Sequence, residues 1–181
     1  SADTYRNSLV NTAGIVDATT AVATKDGIAL VAKKDITLAG EVASHGRSVT
    51  VETGDNLAVT GTKVKASRIT SGGGAITLTA SSQDAKLQAD PDKEPGDGMI
   101  SIKDAYIDSS SEKKDSGQID ITAVRDVMGV SRIDVDDATI TAEGRGGHKA
   151  GDVSIHATAA TKLYAWDIGD GAYALVKMGQ E

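Results

Sequence analysis

Cysteine is absent from this 181-residue chain. Disulfides, thiolate zinc sites, iron–sulfur clusters and cysteine nucleophiles are therefore excluded. Phe is also absent, with one Trp, four Tyr and two Pro. A globule of this size ordinarily relies on large aromatic anchors. This chain must fill its interior with Val, Ile, Leu and Ala. No apolar run is long enough to cross a bilayer, and no stretch reads as a signal peptide. Ser1-Ala2-Asp3-Thr4 reads as a processed or cloned start. Basic excess is lacking too: 19 Lys and Arg face 26 Asp and Glu, for a net charge of −7. Such a chain repels nucleic-acid phosphate and anionic lipid, so neither partner is expected. Helical periodicity is nearly missing, and only Asp17 to Ala23 is allowed a short helical cap.

Glycine, by contrast, is plentiful at 20 residues, and the sequence repeats itself. One pattern recurs in Leu57-Ala58-Val59-Thr60-Gly61-Thr62-Lys63-Val64-Lys65-Ala66, in Ile100-Ser101-Ile102-Lys103-Asp104-Ala105-Tyr106-Ile107-Asp108-Ser109 and in Ile133-Asp134-Val135-Asp136-Asp137-Ala138-Thr139-Ile140-Thr141-Ala142. A shorter relative runs from Ile36 to Ala43. Each copy leads to a second alternating element: Ser48–Val51, Ala75–Ala80, Gln118–Ala123 and Asp152–Ala157. Gly46, Gly74, Gly117 and Gly151 precede these elements. Period-two alternation of Ile, Val and Thr specifies strands with one buried face. Gly61, Asp104 and Asp137 mark a sharp corner that needs unusual dihedrals or local capping. The unit is thus strand, corner, strand, loop, strand.

The repeats are unequal in length, which a solenoid tolerates because loops can leave the coil at a corner. The expected fold is all-β, a right-handed parallel β-helix with loops at one corner. The handedness follows the general bias of crossover connections. Variable stretches Ser44–Arg47, Ser67–Gly73, Ser110–Ser116 and Glu143–Ala150 would emerge along one edge, and Asp90–Gly98 forms another loop. An antiparallel β-sandwich is the alternative. The expected organisation is an N-terminal arm or cap over residues 1–26, β-helix repeats over 27–157 and a C-terminal rung or cap over 158–181.

The texture of residues 133–157, Ile-x-Val-x-Asp-Ala-x-Ile-x-Ala followed by a polar loop and Gly-Asp-Val-x-Ile-x-Ala, resembles the filamentous-haemagglutinin-like repeats of large secreted bacterial adhesins. The resemblance covers about residues 27–157. It implies a right-handed parallel β-helix exported unfolded, with roles in surface attachment, cell–cell contact or biofilm. It carries no catalytic residue to this chain. The absence of cysteine fits that export route. The chain is shorter than members of that class and lacks their secretion domain, so it reads as a segment of a longer protein or a small subunit.

Several clusters carry candidate chemistry. Asp90, Asp92, Glu94 and Asp97 place oxygen ligands in a loop with Gly96 and Gly98, a pattern suited to calcium; a solvated acidic loop is the competing reading. Asp134, Asp136 and Asp137, with Arg132 nearby, form a second acidic group of the kind a polysaccharide lyase uses, although corner and solvent-face placement also explains it. His45, His148 and His156 lack metal-ligand spacing. Gly72–Gly74 and Gly144–Gly147 lack a phosphate-loop signature and read as flexible corners. Tyr164, Trp166 and Tyr173 would close the end of the coil or contact a partner, with sugar stacking as the alternative. The expected function is a non-enzymatic, secreted structural or adhesive β-solenoid of a bacterial surface or extracellular matrix. Its partners would be other copies, adjoining segments of a longer chain, or surface glycans. A subunit polymerising into an extracellular filament and a polysaccharide lyase or hydrolase remain as alternatives.

Overall fold

The computed structural model describes residues 15–16, 20–82, 98–125, 131–159, 162–167 and 173–178; for 15–16, 20–24, 162–167 and 173–178 it describes the backbone. The described residues contain strands and no helix. After β1 (Ile15–Val16) and β2 (Thr20–Thr24), the chain enters the coil at β3 (Gly27–Ala32). Each rung then supplies three strands. They are β4 (Ile36–Leu38), β5 (Glu41–Ala43) and β6 (Ser48–Thr53); β7 (Leu57–Thr60), β8 (Ser67–Thr70) and β9 (Ile76–Ser81). The next rungs comprise β10 (Ile100–Lys103), β11 (Ala105–Asp108) and β12 (Ile119–Arg125), then β13 (Ile133–Asp136), β14 (Thr139–Thr141) and β15 (Val153–Ala159). A final pair, β16 (Lys162–Asp167) and β17 (Tyr173–Met178), forms its own antiparallel ribbon.

Equivalent strands of successive rungs stack in register. The first sheet runs β1-β4-β7-β10-β13, the second β14-β11-β8-β5 and the third β15-β12-β9-β6-β3-β2. Every pairing from β3 to β15 is parallel. Three parallel sheets wound by one chain define a parallel β-helix and overturn the antiparallel sandwich. Within the three sheets of the coil, only β1 and β2 run against their neighbours, β4 and β3. Residues 20–23, allowed a helical cap by composition, lie in β2 instead. The antiparallel hairpin with β3, turning at Lys25-Asp26, supplies the backbone partners a lone short helix would forgo.

The core is a bundle of aliphatic ladders. One ladder joins Ile36, Leu57, Ile100 and Ile133; another joins Ile28, Val49, Ile76, Ile119 and Val153. All members before the last rung are buried. Each fully buried Ile or Leu contributes on the order of 2 kcal/mol by leaving water. Aliphatic side chains fill this core because three sheets enclose a narrow interior.

The corners explain the glycine and aspartate pattern. Asp104 and Asp137 turn between the first and second sheets in the left-handed region, each at φ 46°. Asp and Asn tolerate that conformation better than most residues. At the second corner Gly74, Gly117 and Gly151 stack directly. A Cβ on Gly117 would strike the Gly74 carbonyl, and one on Gly151 the Gly117 carbonyl. At the third corner the ladder passes through side chains: Asn56 N–H donates to Asp35 Oδ1 at 3.0 Å, and Met99 N–H to Asn56 Oδ1 at 3.1 Å.

One repeat differs from its sequence alignment. Ile69, not Val64, stands beside Ile107, and Ser67 beside Ala105. Thr62 to Ala66 therefore form an insertion, closed by reciprocal backbone hydrogen bonds between Thr62 and Lys65. It carries Val64 out of the coil to 98% exposure. Similarly, Ser67–Thr70 is strand β8, and the variable loop of that rung begins only at Ser71.

Candidate functional site

Two surfaces of the coil carry features that its scaffold does not need. The first is the loop edge between the second and third sheets. Each rung enters this corner through a buried position held by Ser44, Ser71, Ser109 and, in the last rung, Ala142. The Ser44 hydroxyl donates to the Arg47 carbonyl, Ser71 to Gly74 at 2.5 Å and Ser109 to Gly117 at 2.6 Å. Each serine thus clamps its loop where the next strand starts. A buried carbonyl left without such a donor would cost about 1–3 kcal/mol. Correct alignment of Val42-Ala43-Ser44, Ile69-Thr70-Ser71 and Ile107-Asp108-Ser109 exposes this ladder in the sequence; the ungapped alignment placed Ala66 at that position and hid it.

Outside the clamp the loops form an open groove of about 540 Å³, lined in part by His45, Gly72, Ser110, Glu112 and Lys114. Lys114 lies across it, its ammonium donating to the Gly46 carbonyl at 2.6 Å. Gly73, at φ 100°, leaves room for the lysine stem, which a Cβ there would strike. The last two loops are stitched together by a parallel bridge between Ser111 and Gly144. Lys149 N–H donates to Asp115 Oδ1 at 3.0 Å, and His148 lies 3.6 Å from the same oxygen. That backbone hydrogen bond, aided by the Lys149 charge and by the nearby His148, lowers the Asp115 pKa against the opposing effect of desolvation. Two nitrogens of Arg145 reach Glu143 Oε2 at 3.1 Å, which holds the guanidinium pKa above its ordinary value. On the adjoining sheet Arg68 sits 5.1 Å above the Tyr106 ring. Burial, then the neighbouring Asp108 carboxylate, raises the Tyr106 phenol pKa.

The second surface is the last rung. Val135, Val153 and Ile155 continue the core ladders yet stand 46%, 45% and 46% exposed. Their counterparts Ile102, Ile119 and Ile121 are fully buried. The backbone is open as well. Ile119 N–H donates to Asp152 O at 2.8 Å, across to β15. The same geometry one rung later directs the Val153, Ile155 and Ala157 N–H groups away from β12, where no strand among the described residues pairs with them.

The acidic group on this rung is already engaged. Arg132 reaches Asp134 at 2.8 Å, and Lys103 reaches Asp136 at 3.4 Å across the rungs. Asp137 makes the corner. No group of three or more His, Asp or Glu among the described residues is arranged to hold a metal. His45, His148 and His156 are dispersed: the first lines the groove, the second faces Asp115, and the third lies on the outer face of β15, 2.7 Å from the Ser154 hydroxyl. Asp90, Asp92, Glu94 and Asp97 lie outside the described residues. Tyr164 and Trp166 fall in β16 and Tyr173 in β17. The ribbon register pairs Tyr164 with Val176 and Trp166 with Ala174, and Asp167 with Tyr173.

The fold and these two surfaces define the chain as a β-solenoid with a looped edge and an open terminal rung. Comparison with protein-family models, curated proteins and solved structures finds no match to this chain.

Proposed function

We propose that this chain is a secreted structural and adhesive β-solenoid of a bacterial surface or extracellular matrix, acting through its loop edge and through self-association. The observation that carries the reading is the terminal rung, built from the same ladders as the interior but, among the described residues, leaving Val135, Val153 and Ile155 about half exposed. A stiff hydrogen-bonded coil with one unsatisfied end is suited to continuing a structure, and the clamped loops present a polar surface along its length. Asp134 and Asp136 each pair with a basic side chain, Arg132 and Lys103, which weighs against the lyase alternative, in which these carboxylates would hold calcium and Arg132 would act as base. Calcium binding by Asp90, Asp92, Glu94 and Asp97 belongs to the proposal as a stabiliser of that loop, and surface glycans as ligands of the loop edge.

The test is an adhesion assay with chain-coated beads on bacterial cells and on immobilised polysaccharides, with calcium and with chelator. Retention without release of reducing or unsaturated sugar ends is expected. Sugar-end release that disappears on Asp134→Asn would contradict the reading and establish an enzyme.

A further inference from the structure

We propose that the open rung binds the open rung of a second copy, with β15 of one protomer pairing antiparallel to β15 of its partner about a two-fold axis. This deepens the self-association half of the functional reading and rests on it, naming the surface and the occupant.

Edge strands invite pairing unless they are guarded by charge, proline or a bulge. The three edges of the last rung differ in this respect. β13 carries Asp134 and Asp136, with Asp137 next in the chain. β14 is three residues, Thr-Ile-Thr. β15 is seven residues long, Val-Ser-Ile-His-Ala-Thr-Ala, with no Asp, Glu, Lys, Arg or Pro. Its inward positions are Val153, Ile155 and Ala157, and the first two are almost half exposed.

The identity of the occupant follows from the other end of the coil. There Ile28, Leu30, Ile36 and Leu38 are buried, and the edges of the first and third sheets are taken by the reversed strands β1 and β2. Among the described residues, the uncovered apolar rung of the coil lies at the C-terminal end. The surface of a second copy that matches it is therefore the same rung, which makes the contact isologous. It adds a strand to the edge of the third sheet, in the antiparallel sense that β2 already uses at the other edge of that sheet.

The register also follows. Residues 153, 155, 157 and 159 point their backbone groups outward. A two-fold axis at His156 uses the whole strand. It pairs Ile155 with Ala157 and Val153 with Ala159 of the partner as hydrogen-bonded pairs, large against small on the inner face. His156 then meets its own copy as a non-hydrogen-bonded pair, with Cα atoms about 4.5 Å apart. The same axis sets acidic β13 against uncharged β14, whereas an axis through β13 would oppose Asp134 and Asp136 to themselves.

The chain has no cysteine, so one introduced thiol reports the contact without ambiguity. His156→Cys should form a disulfide-linked dimer under mild oxidation, since the expected Cα separation suits that bond. Thr77→Cys, on the outer face of the interior strand β9, should not. Sedimentation of the 181-residue chain should show monomer passing to dimer and stopping there. Ala157→Lys, an inward charge on the edge, should weaken dimerisation at least tenfold with an unchanged circular dichroism spectrum. A folded chain that stays monomeric would overturn the proposal and leave the ribbon β16–β17 or another segment as the cover. Filaments or an open-ended series of oligomers would overturn it in favour of head-to-tail addition. Equal cross-linking of the two cysteine variants, or a dimer indifferent to Ala157→Lys, would also overturn it. A monomer that still adheres removes this inference alone, whereas a dimer without adhesion removes the adhesive reading alone.

Discussion

The two ends of the coil solve the same problem differently. At the N-terminal end, β2 folds back on β3 and β1 on β4, and the first residues of every ladder are buried. At the C-terminal end, Val135, Val153 and Ile155 are about half exposed, while Ile133 and Ile140 are only partly buried, and among the described residues no strand pairs with the outer edge of β15. Reversal of strand direction is what separates them. A parallel ladder always offers another rung a place to dock, whereas an antiparallel strand interrupts the coil's register. The lesson concerns solenoids generally: capping is a matter of strand direction as much as of side-chain polarity.

The comparison can be broken at matched positions. Ile121 and Ile155 occupy the same place in adjacent rungs, one buried and one exposed. Ile121→Ala should cost about 2–5 kcal/mol in urea unfolding. Ile155→Ala, measured at a dilution that keeps the chain monomeric, should cost about 1 kcal/mol. Equal costs would mean that the last rung is covered in solution. Glycines make a second matched pair. Gly117→Ala drives a Cβ into the Gly74 carbonyl and should lower the melting temperature by ~10 °C or more, from a penalty of several kcal/mol. Gly147, at φ 89° with open space around it, should lose only about 1 kcal/mol on the same change, from backbone conformation alone.

Smaller effects sharpen the contrast at the loop edge. Ser109→Ala removes a clamp and should cost about 1 kcal/mol by chemical denaturation, whereas Ala142→Ser should restore the missing fourth clamp and add about 0.5–1 kcal/mol. Asp115 gives the smallest effect, and its pH dependence has a definite sign. Its folded-state pKa is lowered, so its stabilising hold on Lys149 is present above the unfolded-state pKa near 4. That hold is lost as pH falls through the lowered folded-state value. Amide exchange at Lys149 should therefore accelerate in acid beyond the intrinsic trend, and Asp115→Asn should reduce the excess.

Much of this coil was legible in the sequence, for physical reasons. Alternation at Ile100, Ile102 and at Ile119, Ile121 reports directly which face is buried. Asp104 and Asp137 announced a corner because few residues accept positive φ. The repeat at Leu57 to Ala66 misled because an insertion beginning with polar Thr62 and containing Val64 imitates the spacing of a second strand. The serine clamp was invisible for the same reason, since its recurrence appears only once that insertion is removed. The open rung was not legible at all: Val153 and Ile155 read like any other inward pair, and only the topology shows that no strand among the described residues stacks on them. The acidic cluster Asp134, Asp136 and Asp137 was correctly placed on the outer face and corner, but its pairing with Arg132 and Lys103 depends on cross-rung distances that spacing does not encode.

The most direct test of the account is amide hydrogen exchange, resolved by residue, on the dilute chain. Ile119, Ile121 and Ala123 should be strongly protected, as should Ile28 and Leu30 at the closed end. Val153, Ile155 and Ala157 should exchange at least a hundredfold faster, and Ser154 and His156, whose N–H groups face β12, should fall between. Protection of Val153 and Ile155 equal to that of Ile119 and Ile121 at the lowest concentration would contradict the account, because it would mean that the chain closes its own coil at both ends.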